Sequence, residues 1–260
     1  MNALLDAITG KIAAATLHKS PIDHIVIENF LPEEMAAKLS GEFEDWNSPT
    51  WHSYQNALEL KKTCNQWNLF KNETYFYFSL INSDAVAKAL SEKFDIEMVS
   101  DPGLHGGGQH AHAQSGNLNP HLDYSIHPKL GLERRVNVIY YLSDEYNETD
   151  GGHFGLWGNE SPSEPGTLIK EIAPLYNCAV IFNTSQNSWH GMSRKYDPAP
   201  GKMRKSLASY YVSEPREDAS ERTRALFAPR ENQAHDEEVL DLIKKRADEK
   251  LHKSTYRTEG

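Results

Sequence analysis

Only two cysteines, Cys64 and Cys178, occur in 260 residues. They are too few for a disulfide framework and too far apart for a zinc ribbon or a redox pair, so they read as buried thiols in a reducing cytoplasm. No apolar run is long enough to span a bilayer, and Asp6 and Lys11 interrupt the apolar N-terminus before a signal-peptide core can form. A membrane partner is therefore not expected. Positive charge is also short: 27 Lys and Arg against 37 Asp and Glu give a net charge of −10. Such a chain repels phosphate backbones at long range, so nucleic acid is not expected as a partner. There is no internal repeat and no low-complexity tract. What is present, 38% hydrophobic and 10% aromatic residues, suffices for a packed core and rules out wholesale disorder. The expectation is a soluble, cytoplasmic protein.

Leu4, Leu5, Ile8 and Ile12 recur at helical spacing, which predicts an amphipathic helix over 2–18, closed by Pro21. Ile22 to Phe30 alternates as a short strand. Pro32, Glu33 and Glu34 suit the first turn of a helix running to about Phe43, and Val86, Ala89, Leu90 and Phe94 share a face of another over Asp84 to Phe94. The first third reads as mainly helical. From about Ile96 short apolar or alternating runs are punctuated by Gly, Pro, Asn and Asp, the texture of an all-β region. The predicted strands are Val136 to Leu142, His153 to Trp157, Leu168 to Ala173, Ala179 to Asn183, His190 to Arg194 and Lys205 to Val212. Their spacing fits a jelly roll or sandwich. After Pro229, Val239, Ile243, Ala247 and Leu251 form one stripe of a terminal helix, acidic at its start and basic at its end.

Twelve histidines decide nothing by number. The informative segment is Asn119-Pro120-His121-Leu122-Asp123-Tyr124, because residues i and i+2 of a strand point to one side. That places the His121 imidazole and the Asp123 carboxylate together. A His-x-Asp tripeptide alone identifies nothing, but His190, in Ser188-Trp189-His190-Gly191, offers a third ligand. Two imidazoles and one carboxylate on one face of an iron leave three adjacent positions open, as in non-haem Fe(II) oxygenases. His190 reads equally as a residue capping the turn beside Gly191. Beyond the breaker-rich loop Asp197-Pro198-Ala199-Pro200-Gly201 stand Arg204 and Ser206, on one face of a strand. If that loop closes a hairpin, His190 lies near Leu207 and Arg204 lies ~10–13 Å along the ladder. A five-carbon dicarboxylate bound at one end to the metal has about that reach, and an arginine fork suits its distal carboxylate. The other reading of Arg204 is an exposed member of a Lys202, Arg204, Lys205 cluster.

Taken together, His121-x-Asp123, His190 and Arg204-x-Ser206 resemble the signature of the Fe(II)/2-oxoglutarate-dependent oxygenases, in the branch related to prolyl 4-hydroxylases. Similar surroundings are Arg134 before Asn137-Val138-Ile139-Tyr140-Tyr141-Leu142, the Gly151-Gly152 turn, the Cys178 to Phe182 strand, and Ile25-Val26-Ile27-Glu28-Asn29-Phe30-Leu31. The likeness covers about residues 21–213. It implies a mainly β fold with flanking helices, a distorted double-stranded β-helix of the cupin-like jelly-roll kind. The whole chain, 1–260, reads as one such domain: a helical N-terminal segment over 1–95, a core over 96–213 and a helical extension over 214–260.

By that resemblance His121, Asp123 and His190 are the catalytic metal ligands for Fe(II), and Arg204, Ser206 and Asn137 bind the cosubstrate 2-oxoglutarate. Asn137 reads equally as a strand-edge cap. Ascorbate is a candidate accessory reductant. The implied reaction hydroxylates an unactivated C–H bond of a small metabolite, saccharide or peptidyl side chain, consuming O2 and releasing succinate and CO2. Asp123 favours hydroxylation over halogenation, since related halogenases carry a small residue there; desaturation, ring closure and demethylation stay open. Two departures from pattern bear on a prolyl substrate: His112 replaces a tyrosine some nine residues before the first ligand, and His153-Phe154 replaces a threonine after the Gly-Gly turn. Tyr210 stands where nucleic-acid demethylases carry a second arginine. His105, His110, His112, His127 and His153 flank the site, either reading a polar substrate or bonding within loops. The Gly106-Gly107-Gly108 run lacks the partners of a phosphate loop and reads as a bend entering a core strand. Two other readings remain: a cupin-like zinc or manganese hydrolase or isomerase, which would leave Arg204 and Ser206 without a purpose, and a non-catalytic barrel binding module.

Overall fold

Apolar residues at helical spacing need a surface to bury against, and a sheet supplies it. The computed structural model describes residues 2–161, 163–248 and 250–251. Helices α1 (Asn2–Ala14), α2 (Glu33–Gly41), α3 (Asn72–Ile81) and α4 (Asp84–Phe94) precede most of the strands, and α5 (Glu237–Ala247) follows them. Ile8 and Ile12, Leu39, Phe78 and Leu90, one face from each of the first four helices, are buried in a common core. No helix among the described residues is long and apolar enough to cross a membrane.

In chain order the strands are β1 (His24–Ile27), β2 (His52–Gln55), β3 (Glu59–Cys64), β4 (Val99–Ser100), β5 (Gly108–His112), β6 (Asn117–Leu118) and β7 (His121–Leu122). There follow β8 (Glu133–Tyr141), β9 (Phe154–Ser161), β10 (Glu164–Ile172), β11 (Cys178–Asn183), β12 (His190–Met192), β13 (Arg204–Ser213) and β14 (Leu226–Phe227). The larger sheet runs β1-β11-β8-β13-β5-β3-β2, with β4 on β13 and β6 on β3; the smaller runs β10-β9-β12-β7-β14. Face to face they make the expected double-stranded β-helix.

The period of two along a strand sorts the larger sheet into an inside and an outside. Val136, Val138 and Tyr140 of β8, with Leu207 and Tyr211 of β13, join the helical core. Their neighbours Asn137, Ile139 and Tyr141, with Arg204, Ser206, Ala208 and Tyr210, line the cavity between the sheets. A sheet buried on both faces reads as an almost continuous apolar run, which is why Val136 to Leu142 stood out in the sequence.

Three points differ from the expectations. The first third is mainly helical, as expected, but it also holds an unpredicted hairpin: β2 and β3 pair with each other and join the larger sheet through β5. Glu-Leu-Lys-Lys-Thr-Cys in β3 is buried only at its two ends and has no alternating apolar stripe, so no strand signal appears. Secondly, β12 and β13 do not form a hairpin. His190 on β12 pairs with β7 and β9, whereas β13 pairs with β4, β5 and β8. The loop between them carries the chain from one sheet to the other. Thirdly, α5 stops at Ala247, leaving Leu251 exposed beyond it; residues 252–260 of the expected extension lie outside the described residues. Both cysteines are buried and free, as expected.

Candidate active site

β7 and β12 are adjacent antiparallel strands, with His121 directly opposite His190. Asp123 lies just past β7, and one ligand atom from each of the three residues lies within 4.8 Å of the others. The imidazole Nε2 atoms of His121 and His190 are 3.7 and 3.3 Å from the Asp123 carboxylate oxygens. Each Nδ1 is 2.9 Å (His121) or 2.8 Å (His190) from a backbone carbonyl, of Asn119 and Ser188 respectively. A carbonyl only accepts, so each Nδ1 carries a hydrogen, and each Nε2 is left facing the space beside Asp123 as the ring atom that would meet a metal. This is the orientation that holds histidines for metal binding.

Asp123 is braced from three sides. An Arg134 terminal nitrogen is 3.0 Å from Oδ2, the Asn137 amide donates to the same oxygen at 2.8 Å, and Arg222 donates to the Asp123 backbone carbonyl at 2.7 Å. Arg134 also donates to Asn137 Oδ1 at 2.7 Å and lies flat on the Tyr210 ring at 3.3 Å. Asn137, expected at the cosubstrate, thus spends both ends of its amide on Arg134 and Asp123. Burial alone would raise the Asp123 carboxyl, but Arg134 and the two imidazoles hold it well below the carboxylate range. Burial, with His190 alongside, pushes His121 down to about 3, so its lone pair is free at neutral pH. The arrangement is a three-donor set with the Arg134 guanidinium beside its carboxylate.

The opposite wall holds Arg204, 6% exposed, with no carboxylate partner among the described residues. Its Nε donates to the Gly152 carbonyl at 2.8 Å and one terminal nitrogen to the Tyr141 hydroxyl at 3.3 Å, leaving N–H groups for a ligand. Gly152 has φ +71°, and a Cβ there would come within 2.9 Å of Arg204 Cδ, so the Gly-Gly turn is what lets the guanidinium lie down. Ser206 follows on the same face. Directly across the ladder from Arg204 is His112, 2% exposed, and neither of its ring nitrogens has a hydrogen-bond partner. Burial and the Arg204 charge keep it neutral. A buried cation without a counter-ion and two orphaned nitrogens are costly unless something binds between them.

These groups face a cavity of about 400 Å³. The structure brings together His121, Asp123, His190, Asn137, Arg204 and Ser206 on its walls. Of the flanking histidines, His105, His110 and His112 line it. His127 does not: its Nδ1 accepts from the Lys129 and Leu130 amides, a loop role, and His153 is buried outside it. The sequence reading did not find the contacts of Arg134, Arg222 and the β2–β3 hairpin. Arg134 carried a signal only through the family likeness.

Several buried histidines have a thermodynamic consequence. Burial takes His105 to about 4 and His121 to about 3, whereas in the unfolded chain both titrate near ~6.5. Between those values the unfolded state binds more protons, so stability is full above about pH 6.5 and falls as pH drops toward 4. Urea midpoints of the metal-free protein from pH 8 to pH 4 should decline accordingly; a midpoint that rises on acidification contradicts the account.

Comparison with known proteins agrees with the geometry. Residues 108–212 match the model of the 2OG-Fe(II) oxygenase superfamily. A stretch of 78 residues is 33% identical to a prolyl 3-hydroxylase, OGFOD1 of Xenopus laevis, but spans only 30% of this chain and 15% of that protein. In fold the chain resembles a Pseudomonas putida prolyl-4-hydroxylase, with TM-score 0.53 and 15% identity over 81% of this chain and 99% of that one. It also resembles a prolyl 4-hydroxylase from Phytophthora capsici, with TM-score 0.56 and 15% identity over 96% of this chain and 82% of that one. Residues 108–212 thus carry the pattern of the 2OG-Fe(II) oxygenase superfamily, on a fold similar to that of prolyl 4-hydroxylases.

Proposed function

We propose that this protein is an Fe(II)- and 2-oxoglutarate-dependent hydroxylase in which His121, Asp123 and His190 hold the iron and Arg204 with Ser206 holds the far carboxylate of 2-oxoglutarate. The observation that carries this reading is the pairing, across one cavity, of a three-donor cluster with a buried guanidinium that lacks a counter-ion. When bound, iron and 2-oxoglutarate supply the oxidising power, coupling loss of CO2 and formation of succinate to oxygen insertion at a C–H bond. The chain's own residues bind and orient. Asn119 and Ser188 fix the imidazole tautomers, Arg134 and Asn137 aim the Asp123 carboxylate, and Gly152 seats Arg204. His112, neutral and across from Arg204, offers one donor and one acceptor to whatever lies beside the guanidinium. The acceptor of the oxygen is a small molecule or a peptidyl side chain. A zinc hydrolase would leave Arg204 buried without an anion.

The test is anaerobic. Fe(II) and 2-oxoglutarate added to metal-free protein should produce the weak visible charge-transfer band of the chelate, and the band should need both components. A protein that binds the metal yet shows no band on adding 2-oxoglutarate is not this enzyme. Succinate formation is then followed in air with ascorbate present as external reductant.

A further inference from the structure

The chain as a whole is acidic, but its cavity is not. Five cationic side chains, Lys61, Arg134, Arg204, Arg224 and Arg246, line it against two carboxylates, Glu59 and Asp123, so the walls carry a surplus of three positive charges in a protein of net charge −10. Loading does not remove the surplus, because a ferrous ion and the 2-oxoglutarate dianion cancel one another. Arg134 is committed to Asp123, and on the oxygenase reading Arg204 is committed to the cosubstrate. Arg246 is tied to Glu59, which leaves Lys61 and Arg224 to meet whatever else enters.

Their placement is specific. Glu59, 1% exposed, is shared between Arg246 at 2.5 Å and Lys61 at 3.3 Å, so Lys61 holds the longer share of that carboxylate. Lys61 stands on β3, which pairs with β5, and lines the cavity with His110 and His112. Arg224 comes from the other sheet. It lies two residues before β14, whose Leu226 and Phe227 pair with Leu122 and His121. Its Nε is buried without an acceptor, and no carboxylate pairs with it among the described residues. A neutral substrate closing over these groups would strip water from unbalanced charge, which is costly. An oxyanion would neutralise it and gain charge-assisted hydrogen bonds.

We propose, building on the oxygenase reading, that the substrate carries an oxyanion, a carboxylate or a phosphate, recognised by Lys61 from the larger sheet and Arg224 from the smaller. The test uses matched pairs of small compounds, each a carboxylic acid or phosphate monoester beside its neutral amide or alcohol, with inorganic phosphate as the minimal probe. They are titrated calorimetrically into the full chain carrying Zn(II) and saturating 2-oxoglutarate, so that the Arg204 position is filled. The charged member should bind at least about tenfold more tightly than its neutral partner, with the acid and phosphate arms telling the two oxyanions apart. Arg224→Leu and Lys61→Met should each erase most of that preference, and Lys61→Arg should retain it. Equal binding of charged and neutral members, a preference unchanged in both variants, or no oxyanion binding even with millimolar phosphate overturns the proposal. Failure of the oxygenase reading shows elsewhere, as a wild-type chain without the Fe(II)–2-oxoglutarate band; the titration repeated on metal-free protein then still reports on Lys61 and Arg224.

Discussion

Replacing Arg134 with methionine should lower the stability of the metal-free protein by about 3–5 kcal/mol, the usual cost of removing one partner of a buried ion pair. The reason lies in what stays behind. Asp123 would keep a carboxylate almost out of water, with its cation gone and the Asn137 amide no longer steadied. The aromatic platform of Tyr210 would lose the guanidinium stacked on it. A divalent metal at the same carboxylate should offset much of the loss, because it restores the missing positive charge from the other side. Urea unfolding of wild type and Arg134→Met, each with and without Zn(II), reads both effects. A loss under about 1 kcal/mol, within the range of an ordinary surface change, or one indifferent to metal, contradicts the role given to Arg134. The Asp123 carboxyl is held low in the folded state, so its stabilisation exists above the unfolded value near ~3.9 and disappears as pH falls through the folded one. The penalty of Arg134→Met should therefore shrink in strong acid.

The second large effect concerns the cosubstrate. Arg204→Ala should weaken 2-oxoglutarate binding by about 30-fold to several thousand-fold, corresponding to about 2–5 kcal/mol for truncating a buried, hydrogen-bonded charge partner. It should leave metal affinity nearly unchanged, because Arg204 stands on the larger sheet and the three donors on the smaller side. Arg204→Lys should recover only a fraction, since a point charge cannot reproduce the fork held by Gly152 and Tyr141. Titrations of Fe(II) and of 2-oxoglutarate, both without oxygen, separate the two affinities. Equal loss of both would mean that Arg204 supports the fold around the metal and does not grip the diacid.

Much of this site was legible because its elements obey short-range rules. His121 and Asp123 are two apart on an extended segment, and the period of two alone predicts their shared side. Val136 to Asn183 carried enough β-branched and aromatic residues to announce the central strands, and Val86 to Phe94 the helix between Asp84 and Phe94, whose bounds agree with α4. Arg204 was singled out on a wrong premise. Its distance from His190 was argued along one ladder, but the two residues face each other across a cavity, and sequence spacing cannot distinguish these geometries. What stayed hidden depends on long-range register. Arg222 meets the Asp123 carbonyl, Glu59 meets Arg246 and Lys205 reaches Ser40 only because the chain closes on itself. Helix α3 was hidden by its composition: Tyr75, Phe76, Tyr77 and Phe78 favour strands in isolation, and its start is secured by the distant Glu42 carboxylate accepting from the Glu73 and Thr74 amides.

The superfamily match ends at residue 212, yet the segment after it does steady work on the donors. Phe227 lies against the His121 ring at 5.2 Å, and Arg230 ties the Met192 carbonyl at the end of β12 to Asn117 at 2.6 and 2.7 Å. A polypeptide trimmed to the matched boundaries would retain His121, Asp123, His190 and Arg204 in full. Grafted into another scaffold, it would transplant the donor atoms without their aim.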